Sequence, residues 1–134
     1  MMTKMPKFRA WDKFDKVMRD VTLLDYNHNF VGYSYPVFMK STMHMELMQS
    51  TGLFDKNGKE IFEGDIVKRY KSPFFVAEWE YQIETVVKRE ACLLLGKKLG
   101  KNFATMSFGS PFTKSDLLEV IGNIYENPEL LKEE

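Results

Sequence analysis

The sequence predicts a mainly β protein, a small bent antiparallel sheet or SH3-like barrel with a short C-terminal helix, on three observations. Residues from Val76 to Val87 alternate with a period of two, as a half-buried strand does. Two sharp bends, Asn57-Gly58 and Gly64-Asp65, lie only a few residues apart. Short β-branched and aromatic runs, separated by turn residues, fill most of the rest.

Taken in order, Lys7 to Trp11 and Val17 to Leu24 flank the charged stretch Asp12 to Lys16 and read as a hairpin. Asp25 to Ser41 holds Asn27, Asn29, Gly32 and Pro36 among five aromatics, so turn-rich backbone pinned by rings is expected, with strand fragments. Met43 to Phe54 leads into Asp55-Lys56-Asn57-Gly58-Lys59, and Asn-Gly tolerates the positive φ of tight hairpin turns. Ile61 and Phe62 follow, then the bend at Gly64 and Asp65, then Ile66 to Tyr70. Such close turns suit a strongly bent sheet or barrel.

In the alternating run, Ala77, Trp79, Tyr81, Ile83, Thr85 and Val87 form the apolar side, and Glu78, Glu80 and Glu84 mark the opposite face as the wet one. Ala91 to Leu95 is too brief to assign to strand or helix. Gly96 to Thr105 reads as a loop or hairpin tip, and Glu119 to Glu126 as a strand. Asn127 then caps a short helix that Pro128 opens, continuing through Glu129, Leu130, Leu131 and Lys132.

A chain of 134 residues, 44% hydrophobic and 14% aromatic, has material for one core and argues against disorder. One domain over residues 1–134 is expected, with residues 1–50 as a candidate separate N-terminal β lobe. Acids and bases cancel at 19 each, so no global field draws the chain to nucleic acid or an anionic membrane. Locally the balance breaks: Lys88, Arg89, Lys97, Lys98 and Lys101 face Glu90 alone between Val86 and Thr105, and Asp116 to Glu134 is acidic. Opposite signs on neighbouring segments fit either a solvated surface or head-to-tail self-association. The lone Cys92 lies in an apolar run and suits a small hydrophobe in a reducing, cytoplasmic setting. Neither a signal peptide nor a membrane anchor is expected.

Motifs for chemistry are sparse. Gly96 to Lys101 faintly resembles a phosphate loop but is one residue short between its glycines and carries Asn102 where Ser or Thr would hold magnesium, so a basic turn is the expectation. His28 and His44 lack metal-ligand spacing, and His44 with Glu46 on one strand face gives at most two ligands. No metal or cofactor is expected. Glu63 and Asp65 around Gly64 are accounted for by turn formation, with Asp65 bonding its own backbone. Lys68, Arg69, Tyr70 and Lys71, followed by Phe74 and Phe75, combine charge with rings as single-strand binders do.

Three strings carry a resemblance: Lys7 to Asp12 (KFRAWD), Met48 to Val67 (MQSTGLFDKNGKEIFEGDIV) and Glu119 to Leu131 (EVIGNIYENPELL). In these the chain resembles the YopX family of phage and prophage proteins. The resemblance implies a β-rich YopX-like fold and a phage origin, and it carries no activity or catalytic residue. Ser72 to Lys114 matches none of the quoted strings.

The leading expectation is a non-enzymatic phage or prophage accessory protein that binds a host or phage protein or self-associates as a homo-oligomer, since nine methionines and many aromatics suit contact surfaces. The alternative is nucleic-acid binding by Lys68, Arg69, Lys71, Lys97, Lys98 and Lys101 facing one groove. A third reading, an enzyme using Glu63, Asp65 and His44, requires those groups to converge.

Overall fold

The computed structural model describes residues 5–34, 38–73, 78–89, 92–99, 102–109 and 113–131. The chain divides into two units, residues 1–50 and 51–134. In the first, β1 (Phe8–Asp12), β2 (Val17–Asp25), β3 (Phe30–Tyr33) and β4 (Phe38–Ser41) precede a 3-10 turn (Thr42–His44) and β5 (Met45–Phe54). They lie antiparallel in the order β4-β3-β2-β1-β5. The β1–β2 hairpin forms as expected, with Ala10 opposite Arg19 and Asp12 opposite Val17. Because strand side chains alternate, Ala10, Val31, Tyr33 and Met45 converge on one face as a small core, joined by Val21 and Leu24.

Strand β5 crosses the boundary and, beyond Ser50, runs beside β6 (Glu60–Phe62). The second unit continues with β7 (Asp65–Tyr70), β8 (Tyr81–Arg89), β9 (Cys92–Leu99), β10 (Asn102–Met106), a 3-10 turn (Ser115–Leu117), β11 (Leu118–Asn123) and a last 3-10 turn (Pro128–Leu131). Its antiparallel sheet runs β10-β9-β8-β7-β11. Ile61, Val67, Val86, Leu95 and Leu118 form the core, with Leu53, Phe108 and Val120 against it.

The structure corrects several expectations. The fold is mainly β with two antiparallel sheets, but neither closes into a barrel among the described residues. The C-terminal helix is a single 3-10 turn of four residues, held by an i to i+3 bond from Leu130 N to Asn127 O. So short a segment has too few bonds to sustain an α-helix alone. Asn127 turns its side chain back, Oδ1 accepting from the Asn123 amide at 3.2 Å. Ala91 to Leu95 resolves as strand from Cys92 onward, and Gly96 to Thr105 is mostly the paired strands β9 and β10, whose tip lies outside the described residues. Gly96 and Lys97 therefore sit in a strand, which removes the phosphate-loop geometry. Cys92 is exposed.

The Asn57-Gly58 turn is broader than a two-residue hairpin. Gly58 alone takes positive φ, at 82°, in a loop running from Asp55 to Lys59. Gly64 bends the chain at φ 87°, as expected, and Asp65 accepts from the Phe62 amide at 2.8 Å. The alternating run is a strand from Tyr81, while Val76 and Ala77 lie outside the described residues. The face expected to be wet is buried in the middle of the strand, where Glu84 is 3% exposed and Val86 1%, with Thr85 buried on the other side, while Tyr81 at its start is 41% exposed. Tertiary pairing explains this, because Val67 lies opposite Glu84, on the face where Arg69 supplies a buried partner.

No helix among the described residues is long and apolar enough to cross a membrane.

Candidate functional site

Of the six basic residues expected in one groove, the four whose side chains are described do not share a surface. In β7 the side chains of Lys68 and Arg69 take opposite faces of the sheet. Arg69 is buried: its Nε donates to Glu84 Oε1 at 2.5 Å, and its guanidinium lies 5.2 Å from the Trp79 ring. A charge neutralised in this way is held in the fold and is not offered to phosphate. Lys97 donates to Gln82 Oε1. Lys71 is exposed, the Lys98 side chain is outside the described residues, and so is Lys101.

On the other face, Tyr70 pairs with Tyr81 across β7 and β8, with ring centroids 5.9 Å apart. Lys56 Nζ sits 4.4 Å from the Tyr70 ring and Lys68 Nζ 4.5 Å from the Tyr81 ring. Glu119 accepts from the Tyr70 hydroxyl at 3.3 Å. The ring faces that would stack on bases thus already carry the chain's own cations.

Of the groups proposed for catalysis, Asp65 is engaged in its own turn. Asp65 is buried against the Phe62 amide. Glu63 flanks the bend at Gly64. His44 belongs to the 3-10 turn that precedes β5, so it does not share a strand face with Glu46, which pairs with Lys13 at 3.2 Å. His28 Nδ1 lies 2.8 Å from Asp25 Oδ2, an exposed contact that holds the Asp25 carboxyl below its ordinary range.

Sequence reading missed two carboxylate hubs. Asp12, fully buried at the end of β1, accepts the Phe14 and Asp15 amides on Oδ1, each at 3.0 Å, and Lys40 Nζ on Oδ2 at 2.6 Å. Burial alone would raise its pKa. The Lys40 hydrogen bond, the two amides and the Lys40 charge outweigh that and bring it to about 2. Asp15 bridges the same Lys40 at 2.9 Å and Arg19 Nη2 at 2.8 Å, and the Arg19 guanidinium covers the Tyr33 ring at 4.4 Å. Beside this cluster Phe14, Lys40, Ser41 and His44 line an open, mostly apolar cavity of about 340 Å³.

Asp55 is the second hub. Its Oδ1 accepts from Asn57 N at 2.9 Å and Lys59 N at 2.8 Å, and its Oδ2 accepts from Val120 N at 2.9 Å. Burial pushes this carboxyl up, and the three amides together hold it below its ordinary value. An Asp entering a turn was the available signal in both cases; its second, distant partner was not.

These contacts join the strings that carry the family resemblance. Lys56 N donates to Leu118 O at 2.9 Å, Ile124 N to Gly64 O at 2.9 Å, and Asn123 pairs with Asp65. Asn123 Oδ1 in turn accepts from Tyr125 N and Glu126 N at 3.0 and 2.8 Å. Gly122 is required here because a Cβ would stand 2.5 Å from Asn127 Oδ1. The motif residues build the frame of the second unit.

The first unit also leaves a row of apolar side chains exposed. On the outer face of β2, β3 and β4, Leu23 lies opposite Gly32 and Gly32 opposite Met39, with Phe30 two residues along the same face. Leu23, Phe30 and Met39 are 43%, 39% and 44% exposed.

The YopX protein family matches residues 7–132, and the chain belongs to that family. That match runs through Ser72 to Lys114, the segment in which the sequence strings were silent. The structure is similar to protein EF1440 from Enterococcus faecalis at 29% identity and TM-score 0.57, covering 97% of this chain and all of that one. It also shares the fold of yopX from Bacillus subtilis, at 19% identity and TM-score 0.61, with 94% and 98% of the two chains covered. None of the curated proteins searched matches.

Proposed function

We propose, with YopX-family membership as the premise, that the chain is a non-enzymatic phage or prophage accessory protein of the bacterial cytoplasm that acts by binding another protein surface. The observation that carries this is the row Leu23, Gly32, Met39 with Phe30, an apolar strip whose large side chains are exposed on one sheet face. Apolar side chains aligned this way favour contact over solvation. The carboxylates Asp12, Asp55 and Asp65 support the same reading, since each is directed to backbone amides and is not free for proton transfer.

The test is affinity capture from a lysate of a phage-carrying bacterium with the wild-type chain and with Leu23→Asp/Met39→Asp, their folding matched by circular dichroism. The expected result is a protein retained by the wild type and lost by the variant. Identical retained sets would overturn the reading.

A second reading, nucleic-acid binding, has one observation in its favour: Tyr70 and Tyr81 lie side by side between Lys56 and Lys68. It requires oligonucleotide binding that weakens steeply with salt. Fluorescence anisotropy at low salt with single-stranded and duplex probes decides it, and flat titrations remove it.

A further inference from the structure

The two edges of the second unit's sheet are treated differently. At the β11 edge the Asp55–Lys59 turn covers the backbone: Val120 N donates to the Asp55 carboxylate and Leu118 O accepts from Lys56 N, each at 2.9 Å. Those two groups are unavailable to another strand, and Glu119 adds a charge. At the β10 edge no described strand lies beyond Asn102–Met106. Every described side chain of that strand is exposed, Phe103 at 41% and Met106 at 37% among them.

An antiparallel edge strand directs alternate N–H and C=O groups outward, and folded proteins usually blunt such an edge with charge, proline or a bulge. The sequence of β10, Asn-Phe-Ala-Thr-Met, has neither charge nor proline, and its register with β9 runs unbroken from Asn102–Leu99 to Met106–Leu95. Phe103 is also held in place. Its ring lies over bare Gly96, close enough that a Cβ there would clash, and the Arg89 guanidinium sits 5.0 Å from it. The strand ends where Thr113 Oγ1, fully buried, donates to Ser107 O at 2.8 Å.

We propose that β10 is a self-pairing edge: two copies of the chain join antiparallel through β10 across a two-fold axis, making one continuous ten-stranded sheet from two copies of the five-stranded one. This goes beyond the protein-binding reading above and concerns a different surface, the β10 edge and not the strip at Leu23 and Met39. The occupant is a second copy because the strand's neutrality suits self-pairing. A charged edge would set like charges opposite each other at the axis, whereas a register centred on Ala104 sets Ala104 against the partner's Ala104 and Phe103 against the partner's Thr105. The covered, charged β11 edge excludes the head-to-tail alternative through strand pairing.

Light scattering of the full chain over a concentration series, with Ala104→Lys and Ala104→Glu, tests it. The wild type is expected to reach a dimer. Each variant alone should dissociate about fivefold more readily, and an equal mixture of the two should regain the dimer, because opposite charges then face across the axis. Amide exchange on the wild type is the second measurement, with slower exchange expected in residues 102–106 as concentration rises. A chain that stays monomeric at its highest soluble concentration overturns the proposal. So does a dimer that both variants leave unchanged, or one whose formation does not protect β10. None of these three outcomes touches the loss of partner on Leu23→Asp/Met39→Asp, which judges the protein-binding reading separately.

Discussion

Asp12 in the first unit and Asp55 in the second solve the same problem with different partners. Each stands at the end of a strand, and each uses Oδ1 to accept two amides of the turn that follows. The difference lies in Oδ2. Asp12 reaches a charge, Lys40 Nζ at 2.6 Å, with Arg19 Nε at 3.5 Å. Asp55 reaches a backbone amide, Val120 N at 2.9 Å, on an edge strand. A lysine ammonium can bond from several directions and is partly screened by water, whereas an amide has one direction and no freedom to follow. The first link should yield to salt, and the second mainly to geometry.

Breaking the second hub should cost most. Asp55→Ala leaves the Val120, Asn57 and Lys59 amides without the carboxylate, and a loss of about 3 kcal/mol in urea unfolding is expected. Asp12→Asn, which retains an oxygen for the turn amides and gives up the charge link, should cost about 1 to 2 kcal/mol once screening is allowed for. Were Asp12→Asn the more costly, the ranking of the two hubs would be wrong.

Acid acts on both hubs, since both carboxyls are held below their ordinary range. With its folded pKa lowered from 3.8 to about 2, Asp12 contributes stability that is fully present above pH about 4 and is lost as pH falls toward 2. Unfolding midpoints of the wild type should therefore fall through that window, and Asp12→Asn should flatten its part of the slope. Added salt should weaken the wild type more than Asp12→Asn, because Lys40 is partly exposed.

The turns themselves give the smallest effects. Gly58 holds φ 82° with open space around a would-be Cβ, so Gly58→Ala should lose about 1 kcal/mol from backbone strain alone. Lys16 adopts φ 56° in the corresponding turn after Asp12, and Lys16→Gly should be neutral or stabilising by about 0.5 kcal/mol. Thermal melts of the pair check both signs; the same sign for both would mean that the two turns are not equivalent.

The amino-acid sequence by itself determined the local features: the β1–β2 hairpin, the positive-φ glycines at 58 and 64, the strand expected over Glu119 to Glu126, which ends three residues early at Asn123, and the family to which its strings belong. Each is set by residues within a few positions of one another, whose conformational limits hold in any context. Tertiary structure alone decided that the carboxylate side of the 81–89 strand is buried at Glu84, because a period of two describes both faces equally and Arg69, diagonal to Glu84 in β7, supplies its buried partner. It also parted Lys68 from Arg69, which are neighbours in sequence and opposite in a pleated strand. The length of the last helix was decided there too: Asn127 bonds back to Asn123, and four residues cannot hold an α-helix without support.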